Sequence, residues 1–208
     1  MTHHTSRPMR LAMATVACSL IIGVIGAAPA QLALSFTAAA QPAHAAAVVR
    51  PVWVVTATNP AQVKITGGTA KERSAVRGYL KKWAKNTHID QVSIGKCAHS
   101  GLTTMYLTGL SRICVHSGLK ANQLRYVIAH EIAHAAQMFA YRGLGTSYDH
   151  MTLSLGAVFG GQGTRALENA ADCAAHALTG TKAYNHYTKK CTSAQLKAAK
   201  RLMAGDPI

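Results

Sequence analysis

The sequence predicts an α+β fold in which a small antiparallel or mixed sheet precedes one long helix and a C-terminal helical part. Three observations carry that expectation. Short β-rich runs cluster at 91–95, 103–108 and 112–116; a long helical stretch follows at about 122–141; and two more helical patterns lie beyond it, at 164–176 and 193–203. No internal repeat and no second domain interrupts this order.

The first 45 residues read as an export leader, leaving residues 46–208 of the 208-residue chain as a single domain. Arg7 and Arg10 precede an apolar run from Leu11 to Ala28, and an Ala-rich stretch ends in Ala43-His44-Ala45, the small-x-small pattern of a cleavage site. Cleavage after Ala30 is a second candidate. A retained membrane anchor is the competing reading, because the apolar run is near the lower length limit for a span. Cys18 suggests a lipoprotein, but apolar residues continue well past it. The expected destination is extracellular, with no membrane span left after cleavage.

The chain carries 22 Lys and Arg against seven acids, a formal charge of +15. Loss of the leader removes two Arg and no acid, which lowers it to +13. Such a surface favours anionic polymers, cell-wall polymers among them. The basic residues are spread along the chain without aromatic interleaving, which argues against a dedicated nucleic-acid reader. Four cysteines follow the leader: Cys97, Cys114, Cys173 and Cys191. An even count in an exported chain reads as two disulfides, with three connectivities open. Sequential pairing would close two loops of similar size, each contributing about 3 kcal/mol. A Cys-zinc site is disfavoured, since no Cys-x-x-Cys occurs.

In chain order, residues 48–58 are β-branched and extended, although Pro51 opposes a central strand. Asn59-Pro60 and Gly67-Gly68 mark turns. Thr69 and Glu72 have the spacing of a capping box. The helix they open puts Val76, Tyr79, Leu80 and Trp83 on one side and Lys81, Lys82 and Lys85 outside. Gly109-Leu110-Ser111 is expected to turn a hairpin between the second and third strand runs. His99 and His116, in this section, are assigned no metal role. Gly143, Gly145 and the run 156–163 read as a flexible connection, and Thr164 as the N-cap of the next helix. In the last helix, Leu196, Ala199, Leu202 and Met203 oppose Lys197, Lys200 and Arg201.

The chemistry concentrates on the long helix. It contains His130-Glu131-x-x-His134, flanked by Val127, Ile128, Ala129, Ile132, Ala133, Ala135 and Ala136. Residues four apart on a helix share a face, so both imidazoles can reach one small cation, and two such donors are half of a tetrahedral zinc site. Glu131 follows the first histidine by about 100° of helix rotation, beside the cation rather than on it. There it can take a proton from a water that the ion activates. A third donor is needed. Glu168 and Asp172, four apart on the next predicted helix, face one direction. Glu168 has the reach of a ligand, and Asp172 can accept the second ring N–H of a liganding histidine.

His130-Glu-Ile-Ala-His134 followed by Glu168-Asn-Ala-Ala-Asp172 resembles the gluzincin metallopeptidases, which share HExxH and a downstream ExxxD, and in particular small secreted bacterial zinc metallopeptidases. The resemblance covers the two motif helices and the sheet-then-helix order before them. It implies a zincin-like fold, one catalytic Zn²⁺ on His130, His134 and Glu168, Glu131 as general base, and Asp172 as the histidine's partner. The metzincin pattern fails at Gln137 and Ala140. An aspzincin pattern is approached by Gly145-Thr-Ser-Tyr-Asp149, with one residue too many, which leaves Asp149 as an alternative ligand. Hydrolysis of a peptide or protein also calls for an oxyanion donor, for which Tyr148, His150, Tyr184, His186 and Tyr187 are candidates. In related folds the peptide lies antiparallel to an edge strand, here within 103–108. The competing expectation is a non-catalytic cationic protein of the cell wall or surface, with a structural or lost zinc site.

Overall fold

The structure is a computed structural model that describes residues 57, 59–106, 109–142, 148–181, 184, 186–188 and 190–208. All of them lie in the compact unit Val48–Ile208. The leader and most of the extended segment 48–58 fall outside the described residues, as do Leu107, Thr108, Gly143 and Gly145.

Among the described residues the fold is mixed α+β, with a four-stranded sheet and five helices. The elements run β1 (Lys64–Gly67), α1 (Ala70–Trp83), β2 (Ile89–Gly95), β3 (Gly101–Met105), β4 (Ser111–His116), α2 (Ala121–Tyr141), α3 (Tyr148–Phe159), α4 (Thr164–Thr179) and α5 (Ser193–Met203). The strand order is β1-β2-β4-β3. β1, β2 and β4 are parallel, and β3 runs antiparallel to β4 as the terminal strand. The sheet is therefore mixed, and β3 and β4 form the expected hairpin, with Gly109 N–H donating to Tyr106 O at 2.8 Å.

Side-chain alternation orients the sheet. On β4, Ser111, Ile113 and Val115 are buried while Arg112 and His116 are exposed. On β2 a register shift between Ile89 and Gln91 lets Ile89 and Val92 both turn inward, which strict alternation forbids. These side chains pack with Val76, Leu80 and Trp83 of α1 and with Leu124, Ile128 and Ile132 of α2. The opposite flank of α2 faces a second core, where Ala133, Ala140 and Tyr141 meet Met151, Leu155, Ala166, Ala170, Ala174 and Leu202. Alanines on both α2 and α4 let the two helix backbones approach closely, because helix separation follows side-chain size. The long helix is thus buried on two sides, between sheet and helices.

Thr69 and Glu72 form the expected capping box, and Glu72 does more. Its Oε1 accepts from Gly118 N–H at 2.8 Å, tying the start of α1 to the turn before α2. Three hydrogen bonds, from the Thr69 backbone, the Gly118 backbone and the Thr69 hydroxyl, hold the Glu72 carboxyl below its ordinary range.

The structure departs from the sequence reading at three places. β1 runs into the Gly67-Gly68 turn and takes in Gly67; its four residues alternate too weakly to stand out, and it gains order by pairing with β2. The glycine-rich stretch after α2 contains helix α3, where Met151, Leu155 and Phe159 recur every four residues and are buried. Gly156 lies inside that helix because the returning chain passes close by: a Cβ there would lie 2.7 Å from Gly161 O. That glycine permits contact rather than flexibility. Finally, Gly163 is the N-cap of α4, and Thr164 is its first helical residue.

Both disulfides are sequential, Cys97–Cys114 and Cys173–Cys191. The first fastens the loop before β3 to β4. The second ties α4 to the segment leading into α5. Together they fit an extracellular protein, and no helix among the described residues is long and apolar enough to cross a membrane. Replacing Cys173 and Cys191 together by Ala opens a link between residues 18 apart. This should lower unfolding free energy by about 3 kcal/mol in urea melts.

Candidate metal centre

α2 and α4 lie side by side, pinned at one end by Arg125, whose Nη2 donates to Thr179 O at 2.9 Å. This alignment brings His130 and His134 of α2 against Glu168 and Asp172 of α4. His130 Nε2 lies 3.0 Å from Glu168 Oε2 and 3.2 Å from His134 Nε2. His134 Nε2 lies 3.4 Å from Glu168 Oε2. A tetrahedral zinc with bonds of about 2.0–2.1 Å has its ligand atoms about 3.3 Å apart, so these three donors already have the edges of such a site. They form the one group of three or more metal-ligating side chains among the described residues.

The outer ring nitrogens support the same reading. His130 Nδ1 faces Asp172 Oδ1 at 3.1 Å, and His134 Nδ1 faces Gln137 Oε1 at 3.1 Å. Protons on the two Nδ1 atoms leave both Nε2 lone pairs directed at the same small volume, with Glu168 as the third donor. Such a convergence is repulsive unless a positive charge occupies it. Burial opposes charge on His130, but hydrogen bonds to Asp172 and Glu168 outweigh it and push the imidazolium pKa up to about 10. Burial likewise raises the Glu168 carboxyl, and its bonds to His130 and His134 more than reverse this, leaving it well below the ordinary range. A cluster that holds a proton this firmly is suited to a divalent cation in its place.

Asp172 is fully buried and is satisfied on every side. Oδ1 accepts from Tyr126 Oη at 3.1 Å as well as from His130. Oδ2 accepts from the backbone N–H of Tyr187 at 2.8 Å and of Thr188 at 3.0 Å. Despite burial, these donors, His130 first, lower its pKa. Burial and the Asp172 charge push the Tyr126 phenol up.

Glu131 sits beside the three donors, buried at 6% exposure but lining the cleft. Its Oε2 accepts from the Thr103 hydroxyl at 2.7 Å, and the same hydroxyl lies 3.0 Å from Glu131 O. Gly101, at the start of β3, makes room for it: a Cβ there would stand 2.4 Å from Glu131 Oε1.

The cleft has a volume of about 750 Å³ and runs between β3 and the helices. The residues flanking β3 bond to β4 and to the residue before it: His116 N–H donates to Ser100 O and Tyr106 N–H to Leu110 O, each at 2.9 Å. Antiparallel strands alternate bonded and non-bonded pairs, and Leu102 opposite Cys114 and Thr104 opposite Arg112 continue the bonded set. The N–H and C=O groups of Gly101, Thr103 and Met105 therefore point away from β4, to the open edge beside the cleft.

Of the five oxyanion candidates expected from the sequence, Tyr148, His186 and Tyr187 line the cleft, and His150 and Tyr184 do not. Tyr148 Oη lies 3.3 Å from Thr164 Oγ1. Tyr187 stacks on the His130 ring with centroids 6.2 Å apart, and burial followed by the Glu168 charge raises its phenol pKa. His150 sits edge-on to Tyr141, and Tyr184 packs on Tyr126. Asp149 is exposed in the first turn of α3 and is not in the donor group. Sequence reasoning missed Thr103, Gly101, Tyr126 and Gln137 as parts of this site. Only Gln137 carried a local signal, an uncharged polar residue three positions after His134 on an apolar helix.

No family model, curated protein or solved structure matched the chain on comparison. Metal analysis tests the donor set directly. Protein dialysed against zinc should retain one equivalent as wild type and as Asp149→Ala, whereas Glu168→Ala should retain less than about a tenth, having lost one of three ligands.

Proposed function

We propose that this protein is an exported zinc-dependent peptidase of gluzincin type. The observation that carries the reading is the 3.0, 3.2 and 3.4 Å triangle of His130, His134 and Glu168, with the Glu131 carboxylate beside it. Histidine and carboxylate donors with an open fourth position are a catalytic rather than a structural zinc set. A structural site has no use for a buried carboxylate at that corner.

Zinc held there would supply Lewis-acid polarisation of the scissile carbonyl and a water acidic enough to lose a proton near neutral pH. The chain's own residues do the rest. Glu131 accepts the proton on a carboxylate oxygen and hands it to the departing amine. Thr103 has one hydroxyl hydrogen and two acceptors within reach, Glu131 Oε2 and Glu131 O. It donates to the carboxylate while that group is ionised, and can turn to the backbone carbonyl once the carboxyl carries a proton. His130 would hold the ion through Nε2 as a neutral donor, its Nδ1–H bound to Asp172. Tyr187, Tyr148 and His186 line the same cleft and are the side chains available to donate to a substrate oxygen as it gains negative charge.

The open edge of β3 supports an extended peptide as substrate. The N–H and C=O groups of Gly101, Thr103 and Met105, turned away from β4, can pair with a peptide main chain running antiparallel, which gives affinity with little side-chain selection. The charge of the chain without its leader, +13, favours delivery to anionic surfaces such as cell-wall polymers. That charge also favours the second reading, a non-catalytic surface-binding protein.

Two experiments separate these readings and test the roles. Chelator-sensitive cleavage of casein and of peptidoglycan cross-link peptides is expected, and Glu131→Gln should slow it by about 10²- to 10⁴-fold with zinc content unchanged. Zinc-loaded wild type that cleaves neither substrate class would favour the binding protein. Thr103→Val should lower kcat by about 10- to 100-fold through a misplaced base, with KM little changed and with Thr103→Ser restoring most of the rate. A rate indifferent to both Thr103 substitutions would remove its role.

A further inference from the structure

Gln137 is 1% exposed, yet it is polar and stands in a helix whose neighbouring residues are apolar. Its two amide ends reach opposite helices. Nε2 donates to Leu167 O at 2.9 Å on α4, and Oε1 lies 3.1 Å from His134 Nδ1 on α2. A backbone carbonyl only accepts, so the NH₂ end must face Leu167 and the oxygen must face the imidazole. That oxygen in turn only accepts. His134 Nδ1 must therefore carry the ring proton, and its Nε2 lone pair is turned toward His130 Nε2 and Glu168 Oε2.

We propose that Gln137 is a positioning residue that selects the metal-binding tautomer of His134 and holds it in register with the backbone carrying Glu168. The inference rests on the reading of His130, His134 and Glu168 as a metal site. Leu167 immediately precedes Glu168, so one side chain braces a ring donor on one helix and the peptide next to the carboxylate donor on the other. The choice of an amide has a physical reason. Glu131, Glu168 and Asp172 already place three carboxylates around this small volume, and His130 is oriented by one of them. A fourth carboxylate would add buried negative charge and would repel Leu167 O when ionised. An amide orients His134 without charge and donates to the carbonyl as well. The two histidines are thus held by different means, Asp172 for His130 and Gln137 for His134.

The test uses Gln137→Met, which keeps an unbranched side chain of similar length but offers neither bond, and Gln137→Glu, which keeps an acceptor toward His134. Circular dichroism and thermal melts establish that the variants fold. Zinc affinity, measured by competition with a chromophoric chelator, should weaken by about 10- to 100-fold in Gln137→Met and by clearly less in Gln137→Glu, which loses the bond to Leu167 O but keeps an acceptor for the His134 ring proton. Nitrogen-15 spectra of the histidine rings in metal-free wild-type protein should show His134 protonated on Nδ1. In Gln137→Met the Nε2–H form should appear. Wild-type affinity in Gln137→Met would overturn the proposal, as would a loss in Gln137→Glu equal to that in Gln137→Met, which would mark Gln137 as a strut alone. Should Gln137→Met fail to fold, the wild-type ring spectrum decides: an Nε2–H His134 refutes the inference. Failure of wild type to take up zinc would instead remove the proposed function, and the same ring spectrum would still test the role of Gln137.

Discussion

A fully buried carboxylate, that of Asp172, is the constraint on which the site depends. A charge without solvent survives only if donors replace the lost water, and Asp172 collects four: His130 Nδ1–H, Tyr126 Oη–H and the N–H groups of Tyr187 and Thr188. These come from α2 and from the segment that follows α4. Satisfying one carboxylate therefore positions one edge of the candidate metal centre and part of the cleft wall together. The Cys173–Cys191 bridge begins at the next residue and closes the same loop, so the covalent link and the buried charge reinforce each other.

The other wall is built by the sheet. β3 is held in antiparallel register with β4, and the Cys97–Cys114 bridge anchors the loop that precedes it. From this fixed strand the Thr103 hydroxyl reaches Glu131, while the absent side chain of Gly101 leaves the carboxylate its space. The two functions proposed for the site therefore have separate supports. Cation binding is organised between α2 and α4, and proton transfer between α2 and β3. Only α2 belongs to both, and it is buried on both flanks.

Local patterns made much of this legible. The period of α1, α2, α4 and α5 and the Thr69–Glu72 box are consequences of short-range geometry, and short-range geometry is written in neighbouring residues. The elements that were missed lack that local signature. β1 has four residues and owes its order to a partner strand 27 positions along, Lys64 opposite Gln91. The glycines around α3 read as a flexible link because Gly is commonest in loops; what Gly156 provides is a close approach to Gly161, a contact between segments. The cleft-lining set was similarly blurred, since Tyr148 and His150 are two residues apart and yet only the first borders the cavity.

By itself the sequence determined the candidate chemistry: two imidazoles one helical turn apart, a carboxylate beside them, and an acidic pair on a later helix with the same spacing. These follow from helix periodicity and need no knowledge of how helices pack. Tertiary structure alone decided that the pair on α4 meets the histidines on α2, that Asp149 stands apart, that Thr103 of β3 reaches Glu131, and that Gln137 reaches Leu167 of α4. Those are distances across 28 to 42 positions of chain or across a helix interface, and they arise from burying two apolar surfaces against one helix. No local pattern encodes such a distance, because it depends on which faces are left to be covered once all the elements have formed.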